Sequence, residues 1–218
     1  MGRSNRKIKL IGARKSVIAF VVEGETEMWY LQMLKKNEER ERNVRINIKP
    51  EIPQKKRLKE QYELVCDLAK EHKIVFWILD FDIILKETRE HRKVERSPLD
   101  DFIEYRRELE KEYENVRIVV NNPCFEYWVL LHFVRTQKKY ANCVGAIKQL
   151  EKELPGYEKT ERYFKSRNND IYLRLKPYLK DAIENAAAFG GFDIEQPKKA
   201  MCEMNVLFMI EELNKYRK

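Results

Sequence analysis

Hydrophobic positions along residues 17–134 alternate between two rhythms. "VIAFVV" (17–22), "IVFWILD" (74–80) and "VRIVVN" (116–121) are short apolar runs rich in β-branched and aromatic residues, which predicts strands. "VRINIKPEI" (44–52) alternates more regularly and predicts a further strand. Between these runs the apolar residues recur at helical spacing. Gly24 turns the chain into an amphipathic stretch from Glu25 to about Lys36. "KRLKEQYELVCDLAKEH" places Leu58, Tyr62, Val65 and Leu68 on one stripe, with Leu64 and Ala69 beside it. After the charged loop "KETREHRKVERS", "SPLDDFIEYRRELEKEY" starts a helix with Ser97 as N-cap and Pro98 at the first helical position. "PCFEYWVLLHFV" is apolar almost all round, and such a helix must be buried.

Strands alternating with helices, with continuous apolar runs in the first and third strands, imply a mainly parallel sheet covered by helices on both faces. The expected organisation is a basic arm (1–16), an α/β domain (17–136) and a helical extension packed on it (137–218). In the extension "CVGAIKQLEKEL", "IYLRLKPYLKDAIENAAAF" and "KAMCEMNVLFMIEELNKY" are helical patterns separated by "PGYEKT" and "GGFDIEQP". The buried helix at 123–134 and the apolar last helix could equally serve a dimer interface.

Charge adds a partner class. The 44 Lys plus Arg against 36 Asp plus Glu leave a net +8, which favours an anionic partner such as nucleic acid. Residues 1–16 carry Arg3, Arg6, Lys7, Lys9, Arg14 and Lys15 and no acid, so they suit an arm on phosphate or a simple terminus. Cys66, Cys124, Cys143 and Cys202 show no CxxC or Cys/His pairing, so neither a zinc site nor a disulfide framework is expected. No apolar run reaches the roughly 18 to 20 residues of a membrane span, and a cytoplasmic protein is expected.

Acidic residues fall repeatedly at predicted strand ends, where ligands bind in parallel α/β sheets. Glu23 follows the first strand, Asp80 and Asp82 close and follow the third, and Glu126 stands just after the fourth. If the segment stays extended, Asp80 and Asp82 point to one side. Two like charges held that close call for a cation, and hard oxygen ligands favour Mg²⁺, with Mn²⁺ as an alternative. Glu23 can join as third ligand or base. Glu126 lies beyond the capping-box position if Asn122 is the cap and Pro123 the first helical residue. Glu25 and Glu27 suit the dipole of the first helix rather than a metal. A strand-terminal DxD also occurs as a simple turn cap. His132 fits a core histidine, and His91 lies in the charged loop.

The segments "VVEGETEMWYL", "ILDFDII" and "VVNNPCFEYWVLLHF", in this order and spacing, resemble the RloB family motifs "CEGETE..Y", "vfDvD" and "sNPcFElWlllHf". The likeness extends more faintly to "LPGYEKT" and the final apolar segment. Members are similar to Toprim proteins, the topoisomerase and primase fold in which a Glu after the first strand and a DxD after the third bind Mg²⁺ for phosphoryl transfer. They are associated with restriction-linked gene clusters and with prokaryotic defence against phage. The resemblance implies that Glu23, Asp80 and Asp82 are catalytic metal ligands, that Glu126 is the acid of the third motif, and that Tyr157 and Lys159 form its "Y.K", with Lys159 placed to stabilise phosphate charge. Val22 stands where relatives often show Cys, and 186–205 matches poorly, so no site is carried there. The expected function is a Toprim-like, Mg²⁺-dependent nuclease, with the basic arm and Lys86, Arg89, Arg92 and Lys93 positioning phosphate. The alternatives are a non-catalytic nucleic-acid- or partner-binding defence component, or a nucleotidyl transferase.

Overall fold

Strand β1 (Lys15–Val22) lies inside the sheet, hydrogen-bonded in parallel to β2 (Ile48–Glu51) on one side and to the central strand β3 (His72–Asp80) on the other. Next to β3 runs β4 (Val116–Asn122), also parallel, and the two-residue β5 (Met201–Cys202) closes that edge antiparallel. The sheet order is therefore β2-β1-β3-β4-β5. This computed structural model describes residues 15–42, 48–51, 57–91, 96–196, 199–211 and 213–214. Residues 1–14 of the expected basic arm fall outside the described residues, as do Arg92 and Lys93, while Lys15 and Ser16 already belong to β1.

Side chains alternate across the pleat, and the sequence supplies apolar residues for both sides. Ile18, Phe20, Val22, Phe76, Ile78 and Val119 enter one core. Ala19, Val21, Val75, Trp77, Leu79 and Val120 enter the other. A strand covered on both faces has no solvent side to mark with polar residues, which is why these runs are continuous.

In chain order the helices are α1 (Glu25–Arg42), α2 (Leu58–Glu71), α3 (Phe81–Glu90), α4 (Pro98–Glu112) and α5 (Phe125–Leu131), followed by α6 (Cys143–Glu153), α7 (Glu161–Phe164), α8 (Ile171–Leu175) and α9 (Leu179–Phe189). Residues of α2, α3 and α4 build the second core, and those of α1, α5 and α6–α9 build the first. Ser97 caps α4 as expected, its hydroxyl accepting the Asp100 N–H at 3.2 Å, with Pro98 in the first turn. Every residue of α5 is buried within this one chain, so that helix belongs to the internal core. Leu150, Phe164, Ile171 and Leu179 of the helical extension share that core with β1 and β3.

Four expectations need correction. The segment after Asp80 is not a loop: α3 begins at Phe81 and carries Lys86 and Arg89. The expected cap of α5 at Asn122 is displaced: Cys124 holds the N-cap position, and the Asn122–Pro123 peptide is cis. The expected last helix is instead β5 followed by a 3-10 helix at Met204–Met209. Strand pairing wins there because β4 would otherwise end with unpaired backbone groups. Glu203 completes the pairing, its N–H donating to Val120 O at 3.0 Å and its carboxylate accepting the Val120 N–H at 2.9 Å. Finally, Cys124 and Cys143 are joined in a disulfide, which their 19-residue separation concealed, because the fold of 122–143 alone brings them together.

Candidate functional site

The acids gather at the carboxyl edge of the sheet. Glu23 follows β1, and because β1 pairs with β3 in register Val22 to Ile78, its carboxylate reaches the end of β3. Glu23 Oε2 accepts the Asp80 N–H at 3.0 Å. Asp80 is the last residue of β3, and its Oδ1 accepts the N–H of Phe125, the first residue of α5, at 2.8 Å. The end of one strand, the end of its neighbour and the start of a buried helix are thus tied through two carboxylates. Glu23, Glu27, Asp80 and Lys159 line one pocket of about 320 Å³.

Glu27 was expected on the surface as a dipole partner, and the structure corrects that: it is 3% exposed, while Glu25 faces solvent. The spacing Glu23-x-x-x-Glu27 contains the signal, since four residues across a helix start place two side chains on one face. Gly24 supports it. A Cβ there would stand 2.9 Å from Glu27 Oε2, so a side chain at this position would push the carboxylate aside. Thr26 Oγ1 donates to the same oxygen at 2.9 Å.

Asp82 sits differently from the strand-based expectation. It is the second residue of α3, so the period of an extended chain does not apply between it and Asp80. Its N–H donates to Pro123 O at 3.0 Å, and its Oδ2 accepts the Cys143 N–H at 2.8 Å. It lines a neighbouring cleft with Leu85, Arg89 and Tyr140. Asp80 and Asp82 therefore flank a wall between two concavities.

Electrostatically the acid pocket is under tension. Burial, only partly offset by the Asp80 N–H and reinforced by the charges of Glu27, Glu87 and Asp82, pushes Glu23 up to about 8. Burial and then the charges of Glu27, Glu23, Glu126 and Asp82 hold Asp80 well above the usual carboxylate range. Glu27 and Asp82 are raised as well, chiefly by burial. Desolvated like charges favour the protonated forms unless a cation enters. The residues fit a divalent ion: hard carboxylate oxygens converge from two strand ends and one helix start. Among the described residues, the three-residue group whose ligand atoms all lie within 4.8 Å of one another is Cys124, Glu126 and Cys143. With the two sulfurs bonded to each other, no thiolate is left there for a metal. The pocket acids are spaced more widely, as suits an ion that keeps several waters.

Glu126 is wholly buried beside the pocket. Its Oε1 accepts from Lys159 Nζ at 2.7 Å and from Tyr157 Oη at 3.0 Å. Burial alone would lower Lys159, but Glu126, then Asp80 and Glu27, outweigh it and raise the ammonium above its ordinary value. Lys159 stays charged and lines the pocket with Asp80. The expected "Y.K" pair thus meets the acid of the third motif, although 31 residues separate Tyr157 from Glu126.

His132 is buried, its Nδ1 3.0 Å from Trp128 O, and burial lowers it to about 4. It lies in the core, away from the acids. Among the described residues no helix is long and apolar enough to cross a membrane. Comparison with known proteins found no match among curated proteins or solved structures. The model of the RloB family, described as RloB-like protein, matches residues 18–213, a span that takes in every strand end and helix start described above. With its Toprim-like α/β fold, the chain belongs to the RloB-like protein family.

Proposed function

We propose that this protein is a Mg²⁺-dependent nuclease that hydrolyses nucleic-acid phosphodiesters, acting in prokaryotic defence against phage. The observation that carries the reading is the convergence of Glu23, Glu27 and Asp80 with Lys159 on one pocket at the carboxyl edge of a parallel sheet. Glu23 and Asp80 are the residues to hold the metal, with Glu27 as a further oxygen donor, while Asp82, which lines the neighbouring cleft, adds its negative charge to the site. Bound Mg²⁺ supplies charge neutralisation at the phosphate and leaving oxygen and a more acidic water.

The chain's own groups do the remaining work. Lys159 binds a non-bridging phosphate oxygen, and Glu126 with Tyr157 holds its position. Glu23 or Glu27, whichever is not engaged with the metal, accepts the proton of the attacking water. The net charge of +8 draws the polyanion in. The link to phage defence rests on the family likeness.

The test is cleavage of labelled single- and double-stranded DNA and structured RNA in Mg²⁺, Mn²⁺ or EDTA, by the wild type and by Asp80→Asn shown to be folded. The expected result is metal-dependent cutting that falls by about a hundredfold or more in the variant. Binding by both proteins with the same salt dependence and no cutting by either sinks the catalytic reading and leaves a binding component. Incorporation of nucleoside triphosphates would redirect it to nucleotidyl transfer.

A further inference from the structure

On the far side of Asp82 lies the second concavity, a cleft of about 580 Å³. Asp82, Leu85 and Arg89 form one wall, spaced three and four residues apart on a single face of α3. Lys139, Tyr140 and Ala141, from the segment between α5 and α6, form the opposite wall, and Pro123 contributes as well. The cleft differs in kind from the acid pocket. Leu85, Pro123 and the Tyr140 ring make it largely apolar, and both of its cations, Arg89 and Lys139, are exposed.

Its volume is within the range of small-molecule sites, which combine apolar walls with a few placed polar groups. A nucleotide has that combination: a flat apolar ring face at one end and a phosphate at the other. Tyr140 and Leu85 suit the ring, and Arg89 and Lys139 suit the phosphate. Asp82 joins this cleft to the acids, because it follows Asp80 by two residues and its charge acts on both Glu23 and Asp80. A strand whose phosphodiester lies over Asp80 would therefore carry its neighbouring nucleotide past Asp82 into the cleft. A base paired in a duplex cannot enter, because its faces are stacked and its edge is engaged.

We propose that this cleft binds an unpaired nucleotide flanking the phosphodiester over the acids, so that the substrate is single-stranded nucleic acid or an unpaired loop. The inference deepens the nuclease reading and rests on it for the position of the phosphodiester. Its binding component can be measured without turnover.

The experiment is fluorescence anisotropy in EDTA at fixed salt, with short labelled oligothymidylate, oligouridylate and a blunt duplex as probes. Wild type is compared with Ala141→Trp, which fills the cleft from an exposed position, and with Tyr140→Ala. The expected result is tighter binding of one or both single strands than of the duplex, with that advantage reduced by roughly 5- to 100-fold in each variant, the effect of losing one stacked base. The oligothymidylate and oligouridylate arms distinguish DNA from RNA. Equal wild-type affinity for single strands and duplex overturns the proposal. So does an Ala141→Trp variant that keeps the single-strand preference, or loses single strands and duplex alike. Tyr140→Ala also removes packing against Gly145, so Ala141→Trp decides if that variant does not fold. Single-strand preference that depends on the cleft, in a protein that never cuts, would retain this site while refuting the nuclease. Cutting without such a preference would do the reverse.

Discussion

Two groups of buried acids make opposite use of the same side chain. Asp170 is fully buried, yet donors surround it. It caps α8 by accepting the Leu173 N–H at 3.1 Å, it accepts from Asn37 Nδ2 at 3.0 Å, and Lys36 stands 3.9 Å away. Nearby, Glu38 accepts from Tyr172 Oη at 2.7 Å and pairs with Lys176 at 3.0 Å. At the strand ends, Glu23, Glu27 and Asp80 are crowded by other carboxylates, with Lys159 as the cation lining their pocket. A buried acid among donors helps to hold helices in place. Acids buried among their own kind cost stability, and a fold that keeps them is poised for a cation.

The largest expected effect separates the two groups through pH and metal. Glu23 titrates near 8 in the folded chain against an ordinary 4.5. Between these values the unfolded chain has lost the proton that the folded chain still holds, so raising the pH favours unfolding. In EDTA the Glu23 contribution taken alone should lower the melting temperature by about 10 °C from pH 5 to pH 8. Millimolar Mg²⁺ should reverse much of the fall, and Glu23→Gln, which removes the titrating group, should flatten it. Differential scanning fluorimetry across pH with and without Mg²⁺ measures this. A metal-free protein equally stable at pH 5 and pH 8 would remove the distinction between the two groups.

Next in size is the substitution of an acid that serves the fold. Asp170→Ala removes the cap of α8 and leaves Asn37 without its buried partner, a loss of about 3 kcal/mol or roughly 9 °C. Asp80→Asn in EDTA at pH 8 should cost no stability, because it relieves repulsion. Paired denaturant titrations of the two variants check the contrast. Asp170→Ala should retain any cleavage activity once folded, which no variant at Asp80 should do.

How much of this was legible in the chain depended on the range of the interaction. Periodicity gave the strands and most helices, because pleat and helix each impose their spacing on nearby residues. Ser97 and Pro98 marked the start of α4 by chemistry within a single turn. Glu23 and Asp80 were visible because strand ends are themselves legible. Glu27 was missed although the spacing from Glu23 was in view, since an acid in a first helical turn has an ordinary explanation in the dipole. The disulfide, the role of Glu203 at the sheet edge and the split between the pockets of Asp80 and Asp82 all depend on residues far apart in sequence. The last apolar segment was misjudged because its apolar residues suit a helix, while the unpaired edge of β4 offered backbone partners that no local pattern records.

The smallest effect concerns a titratable group shifted chiefly by burial. His132 packs edge-on against Trp128, with ring centroids 4.7 Å apart, and its Nδ1 lies 3.0 Å from Trp128 O. A carbonyl only accepts, so Nδ1 carries the proton, and among the described residues the buried Nε2 has no hydrogen-bond partner. Burial lowers the imidazole from 6.5 to about 4. Below pH 6.5 the unfolded chain takes up a proton that the folded chain refuses until near pH 4, so this stabilisation is complete above 6.5 and fades as the pH falls to 4. Between pH 6.5 and pH 5 the loss should be about 2 kcal/mol, or roughly 6 °C. His132→Phe should remove that part of the acid-side slope and leave the alkaline fall caused by Glu23 untouched. The difference in melting temperature between wild type and variant at pH 5 and at pH 7, in which the Glu23 contribution cancels, gives the answer. An unchanged slope would place the acid sensitivity elsewhere, whereas a loss of both slopes would mean that the core histidine and the acid pocket are linked rather than independent.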